Sequence, residues 1–194
     1  VTYTPISFTA TGATSTPVEK NTMTWADGTL STTVSVTDNK ILTDAKVYAT
    51  WKVDNVAVGD LASTTAGTFT NDVATITPTP YTVSSATANK TVSLYVYAVK
   101  DNQVVWSYTS DAITVNPKNT ADVVKATATD VAYNGKIQQA TPTLNTVSGT
   151  GSLPVELDGT DDYTIGYDEN SDFVNVTDKP ITITLTPKSS AYKG

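Results

Sequence analysis

Residues 91–108 carry a pattern that only a pair of β-strands satisfies. Thr91-Val92-Ser93-Leu94-Tyr95-Val96-Tyr97-Ala98-Val99 switches side at every residue, Lys100-Asp101-Asn102-Gln103 breaks the run, and Val104-Val105-Trp106-Ser107-Tyr108 returns. Side chains alternate across a strand with a period of two. Val92, Leu94, Val96 and Ala98 therefore share one face, and Tyr95 and Tyr97 share the other. A short polar turn between two such runs is a hairpin signature.

The same period recurs upstream. Val47, Ala49, Trp51 and Val53 fall on one face of the run from Ala45 to Asp54, and Asp54-Asn55 then signals a turn before Val56-Ala57-Val58. Ile6–Ala10 and Leu30–Val36 alternate too, and Gly67–Phe69 and Val73–Thr77 flank a turn at Asn71-Asp72. Thr makes up about one residue in five and Val is frequent; both are β-branched and suit pleated surfaces. No long stripe of period 3.6 argues for a helix. Hydrophobic residues are 39% of the chain and charged ones 16%, enough apolar material for a packed core. Strands spaced about 8–12 residues apart with turns between predict an all-β fold of sandwich type.

The 194 residues divide near Asn116-Pro117-Lys118-Asn119-Thr120-Ala121-Asp122, a stretch of turn residues after the strand Asp111–Val115. The expected organisation is two tandem Ig-like β-sandwich domains: residues 1–116, a linker at 117–122, and a smaller domain at 123–194. The Ig-like expectation for the first rests on a resemblance. Trp51, inward on a middle strand, is similar to the core Trp of immunoglobulin-like sandwiches, though the Cys pair of antibody-type domains is absent. It reads as a core aromatic burying up to about 250 Å² between the sheets. In the second, Val123–Ala128 reads as the opening strand. Asn134-Gly135 is a strong turn dipeptide because both residues tolerate positive φ. Ile181, Ile183 and Leu185 alternate with threonines.

The second domain also carries ordered anchors: Tyr133-Asn134-Gly135-Lys136, then Asp162-Tyr163-Thr164-Ile165 with Tyr167 and Asn170, then Ile181-Thr182-Ile183 with Leu185, then Tyr192-Lys193-Gly194. This set resembles the Ig-like repeat modules found in tandem on bacterial surface proteins, especially those of Gram-positive organisms. It departs from them at Gln138-Gln139, where a Pro usually follows the Tyr-x-Gly-Lys turn, and at Ser190-Ala191, where a Gly usually precedes the last Tyr. The resemblance implies a spacer, stalk or adhesion module and no catalytic residues.

The residue types narrow the chemistry further. Cys and His are both zero, and all 12 basic residues are Lys. Disulfides, thiolate metal sites and the commonest general base are thereby excluded. The formal net charge of −7 disfavours nucleic acid and anionic membrane surfaces as partners. No apolar run reaches the ~20 residues of a membrane-spanning helix. With Val1 first and no charged-then-apolar leader, the chain reads as a mature fragment.

Seven of the 19 acidic residues lie between Glu156 and Asp172 with no Lys among them, so this run equals the whole net charge. Asp158, Asp161, Asp162, Asp168 and Asn170 are candidate ligands for calcium, which takes six to eight oxygens; no other cofactor is expected. The competing reading is a solvated turn that protects sheet edges. Paired carboxylates alone suffice for glycoside hydrolysis, but a sandwich of this size offers no deep cleft, and an enzyme is not expected.

Tyr95, Tyr97, Trp106 and Tyr108 cluster on one hairpin and form a candidate ligand face for glycans; the alternative is cross-strand pairing that stabilises the sheet. Lys46 and Lys52 are strand lysines that could enter a Lys–Asn isopeptide bond. Asn89-Lys90-Thr91 and Asn175-Val176-Thr177 match the glycosylation acceptor pattern, which recurs by chance in so Thr-rich a chain.

The function expected from these features is structural: a spacer, display stalk or adhesion module of a bacterial protein that is extracellular or at the cell surface. Its partners would be neighbouring domains of the same chain, a glycan or a host protein. The alternatives are a glycan- or protein-binding adhesin domain and a self-assembling surface-layer or phage decoration component.

Overall fold

The computed structural model describes residues 2–3, 9–11, 22–25, 28–37, 42, 44–59, 65–132, 134–168 and 180–194. They form strands, turns and short 3-10 turns, with no α-helix among them, so the protein is all-β. No helix among the described residues is long and apolar enough to cross a membrane. The chain divides into two compact units, Val1–Pro117 and Lys118–Gly194.

The strands of the first unit are β1 (Thr2–Tyr3), β2 (Thr9–Thr11), β3 (Thr22–Thr24), β4 (Thr29–Ser31), β5 (Val34–Thr37), β6 (Lys46–Val53), β7 (Val56–Ala57), β8 (Val73–Ile76), β9 (Tyr81–Thr82), β10 (Thr91–Lys100), β11 (Gln103–Thr109) and β12 (Ile113–Asn116). They form a six-stranded sheet ordered β3-β12-β10-β6-β7, with β11 also on β10, and two three-stranded sheets, β1-β5-β8 and β2-β4-β9. The antiparallel β6–β10 ladder is the spine of the large sheet. It sets Val47 opposite Ala98, Ala49 opposite Val96, Trp51 opposite Leu94 and Val53 opposite Val92.

The alternation read from sequence is what this ladder needs. Val47, Ala49, Val92, Leu94, Val96 and Ala98 are all fully buried. They meet Leu30, Val34, Val36, Ala74 and Ile76 from the smaller sheets in one core. Each buried Val or Leu contributes about 1.5–3 kcal/mol of transfer free energy. Trp51, 3% exposed, belongs to this core, and its indole N–H donates to the Thr79 carbonyl at 2.9 Å, so burial leaves no unpaired donor.

Three hairpin turns are built alike. Asp54-Asn55, Asn71-Asp72 and Asp101-Asn102 all have positive φ at both positions, between 47° and 67°. That is the paired left-handed conformation of a type I′ turn, whose twist matches the flanking strands. Asn and Asp tolerate it through their short polar side chains. Gly67 has a different role. It exchanges both backbone hydrogen bonds with Val47, at 2.7 and 2.9 Å, and a Cβ there would lie 2.6 Å from Ile76 Cγ1. Only glycine lets that segment lie between β6 and β8.

The far edge of β10 is shared by two strands in line. β11 pairs with its second half and β12 with its first residues. Two one-residue bulges interrupt this edge: Ala98 pairs with Trp106 but Val99 with Val104, and Tyr95 pairs with Thr109 but Val92 with Ile113. At the second break Ser110 completes the ladder. Its N–H donates to the Leu94 carbonyl at 2.9 Å, and its Oγ accepts from the Leu94 N–H at 2.9 Å. β12 then runs parallel to β3, with Val115 opposite Met23.

The second unit holds β13 (Lys118–Asn119), β14 (Val124–Thr127), β15 (Thr143–Thr146), β16 (Tyr163–Tyr167), β17 (Ile183–Pro187) and β18 (Tyr192–Lys193). β14 pairs with β15 and β16 with β17, both antiparallel, while β13 pairs in parallel with β18. Residues 118–122, read from sequence as linker, thus belong to the fold of this unit. Lys118–Asn119 is a strand, and Thr120–Asp122 is a 3-10 turn whose Ala121 N–H donates to the Asn119 side chain. Among the described residues the buried side chains are few: Thr120, Pro142, Leu157, Tyr163, Ala191 and Tyr192. Ile181, Ile183 and Leu185, which alternate with threonines, are half-buried; with Ala126, Ala128 and Pro142 they line an open groove of about 210 Å³.

Candidate functional site

The outer face of the β6–β10 ladder carries a row of rings. Tyr48 and Tyr97 are directly cross-strand and stack at 5.4 Å between centroids; Tyr97 and Tyr95 stack at 5.1 Å. Both pairs are inclined by 17°. Lys52 Nζ closes the row, 3.6 Å above the Tyr95 ring, a cation–π contact worth about 0.5–1 kcal/mol at an exposed site. The rings stand side by side on the sheet. Tyr97 stacks on two rings and is only 3% exposed; Tyr95 contacts both Tyr97 and an ammonium. Sugar stacking needs an open ring face, and these contacts occupy part of the Tyr95 and Tyr97 ring surface.

Of the four aromatics expected on one ligand face, the fold unites only two. A regular ladder from Lys100 opposite Gln103 would set Trp106 opposite Tyr97 and Tyr108 opposite Tyr95. The bulge at Val105 advances β11 by one residue, so Trp106 pairs with Ala98 and Tyr108 with Val96. A one-residue slip moves every side chain to the other face. Trp106 therefore packs against the core, and Tyr108 is half-buried on that same inner side. The residues that complete the row, Tyr48 and Lys52, come from β6. The period of two already placed them together, on the face opposite Trp51; their meeting with Tyr97 and Tyr95 depends on the strand pairing.

The expected calcium ligands do not converge either. Asp158, Asp161 and Asp162 sit before β16 and Asp168 just after it. Six residues of extended chain, at about 3.3 Å each, hold Asp162 and Asp168 roughly 20 Å apart. Asn170 lies outside the described residues. Two of the carboxylates serve the backbone. Asp162 Oδ2 accepts from the Gly159 N–H at 2.9 Å, and Asp168 Oδ2 from the Thr182 N–H at 2.8 Å. Lys188, remote in sequence, donates its ammonium to the Asp161 carbonyl at 2.7 Å, so the fold brings a cation into a run that has none of its own. Among the described residues no group of three or more acidic side chains is placed to hold a metal ion.

The tyrosines of the second unit act as anchors. The Tyr163 hydroxyl donates to the Leu157 carbonyl at 3.1 Å, and the Tyr167 hydroxyl to the Ala140 carbonyl at 3.3 Å. Burial pushes the Tyr163 phenol above its usual pKa, helped by the negative charge of Asp162 and by Tyr192. Tyr192 is raised by burial first and Glu156 second. Both phenols therefore keep their protons to higher pH than a free tyrosine. Tyr133 lies outside the described residues; Asn134, Gly135 and Lys136 form an Asx turn, with the Lys136 N–H donating to Asn134 Oδ1 at 3.0 Å.

The lysines considered for an isopeptide bond are otherwise placed. Lys46 is exposed, and Lys52 lies over Tyr95. Of the two acceptor patterns, Asn89 occupies a positive-φ turn before β10 and Asn175 lies outside the described residues. No protein-family model, no curated protein and no solved structure matches this chain.

Proposed function

We propose that the chain is a structural spacer of a bacterial cell-surface or secreted protein, built as two tandem Ig-like β-sandwich modules. One observation carries this reading: in the second unit the first strand pairs in parallel with the last. In the second unit β13 runs parallel to β18, with the Lys118 N–H donating to the Ala191 carbonyl at 2.9 Å and the Thr120 hydroxyl to the Lys193 carbonyl at 3.1 Å. In the first, the last strand, β12, also runs parallel to an early strand, but that strand is β3, which β1 and β2 precede.

A parallel pairing of first and last strands means the chain leaves a module travelling the way it entered. Tension between the two ends loads these hydrogen bonds together, in shear, where an antiparallel pair would open one bond at a time. A module strung in series needs that property. The Thr- and Val-rich strands and the resemblance of residues 121–194 to surface repeats support the same role, which is not catalytic. The partners on this reading are the neighbouring domains.

Single-molecule stretching of the whole chain between terminal handles tests it. The second unit should yield in a distinct high-force event. Thr120→Ala should lower the force of the second unit's event and leave the first unit's unchanged. Low-force, gradual extension of both units would overturn the spacer reading.

A further inference from the structure

We propose that Asn134-Gly135 is a self-modifying site, at which the backbone nitrogen of Gly135 attacks the Asn134 side-chain amide and converts it to isoaspartate or aspartate. The proposal is independent of the spacer role. Four observations bring it together. Residues 134–137 are exposed and lie in the connection between β14 and β15, outside any strand ladder. Gly135 has φ +78° and no Cβ to hinder approach of its nitrogen to the neighbouring side chain. Among the described residues no hydrogen bond engages the Gly135 N–H. Finally, the Lys136 N–H donates to Asn134 Oδ1 at 3.0 Å, which draws electron density from Cγ and stabilises the oxyanion as the nitrogen adds.

The step balances without an oxidant or a metal. Solvent base removes the Gly135 amide proton, and the nitrogen bonds to Asn134 Cγ. The Cγ–NH2 bond breaks, and ammonia leaves carrying a proton from water. Water then opens the cyclic imide at either carbonyl. One opening gives aspartate; the other gives isoaspartate, with the main chain rerouted through the side chain. Either product adds one negative charge; aspartate keeps an oxygen that can accept from the Lys136 N–H, whereas isoaspartate reroutes the main chain through the turn.

The same fold contains its own control. Asp158-Gly159 is the corresponding acidic dipeptide, but its Gly159 N–H donates to Asp162 Oδ2 at 2.9 Å and is held in a 3-10 entry. The nitrogen that would attack is already engaged there.

The test is incubation of the folded full chain in mildly alkaline buffer made with heavy-oxygen water. Peptide mapping and an isoaspartyl methyltransferase assay follow. The expected result is loss of ammonia and uptake of one solvent oxygen at residue 134 before any other Asn, with residue 158 unmodified. Asn134→Gln should abolish the signal and Gly135→Ala should slow it severalfold, with circular dichroism unchanged in both. Conversion at 134 in urea but not in the folded chain would overturn the proposal, as would earlier conversion at another Asn.

Discussion

Ser110→Ala removes one oxygen at the point where β11 gives way to β12, and its effect follows from the ladder. The Leu94 N–H lies in the middle of β10 beside a fully buried side chain, and its acceptor is Ser110 Oγ at 2.9 Å. Ser110 is itself only 9% exposed, so water has little room to substitute. A buried donor stripped of its partner costs about 1–3 kcal/mol. With an unfolding entropy of about 2.1 cal/mol/K per residue, a unit of this size loses roughly 4 °C per kcal/mol, so the melting temperature should fall by about 4–12 °C. All three tryptophans, Trp25, Trp51 and Trp106, lie in Val1–Pro117, so their fluorescence follows the first unit alone. Ser107→Ala, an exposed site on the same strand, is the control and should stay within about 0.5 kcal/mol of wild type. If Ser110→Ala denatures with the same midpoint as Ser107→Ala, the hydroxyl is not closing the gap in the ladder.

Three further outcomes are expected. Trp51→Phe keeps most of the buried ring but gives up the indole N–H bond to the Thr79 carbonyl, and guanidinium denaturation followed by circular dichroism should register a loss of about 0.5–1.5 kcal/mol. Tyr97→Ala removes both ring stacks from the outer face and should cost about 3–5 kcal/mol by the same measurement, whereas Tyr48→Ala, at the end of the row, should cost less. The second unit should weaken at high pH. Tyr163 and Tyr192 titrate above the ordinary value of about 10 when folded, so their contribution is complete below that pH. It is lost as pH rises from there through the folded-state values, because the unfolded chain releases its phenolic protons first. Absorbance of tyrosinate against pH should show these two ionising late and together with unfolding, and Tyr163→Phe should blunt that dependence.

The sequence by itself determined the local geometry. The period of two over residues 47–53 and 91–98 selected the face that became the core, because adjacent side chains on a strand cannot share a side. The paired Asn and Asp residues at 54–55, 71–72 and 101–102 fixed three turns, because their short side chains accept positive φ. These decisions need only a residue and its near neighbours.

What the tertiary structure decided lay beyond that range. Whether Trp106 joins Tyr97 or the core turns on one bulge at Val105, and a bulge is a property of two strands in register. The acidic run looked like one cluster because it is short in sequence, but a strand extends about 3.3 Å per residue and β16 carries its ends apart. The parallel pairings β3–β12 and β13–β18 join residues about ninety and about seventy-five positions apart, and no local signal records them. They follow from how each unit closes over its own buried side chains, and the proposed mechanical role depends on the second of them.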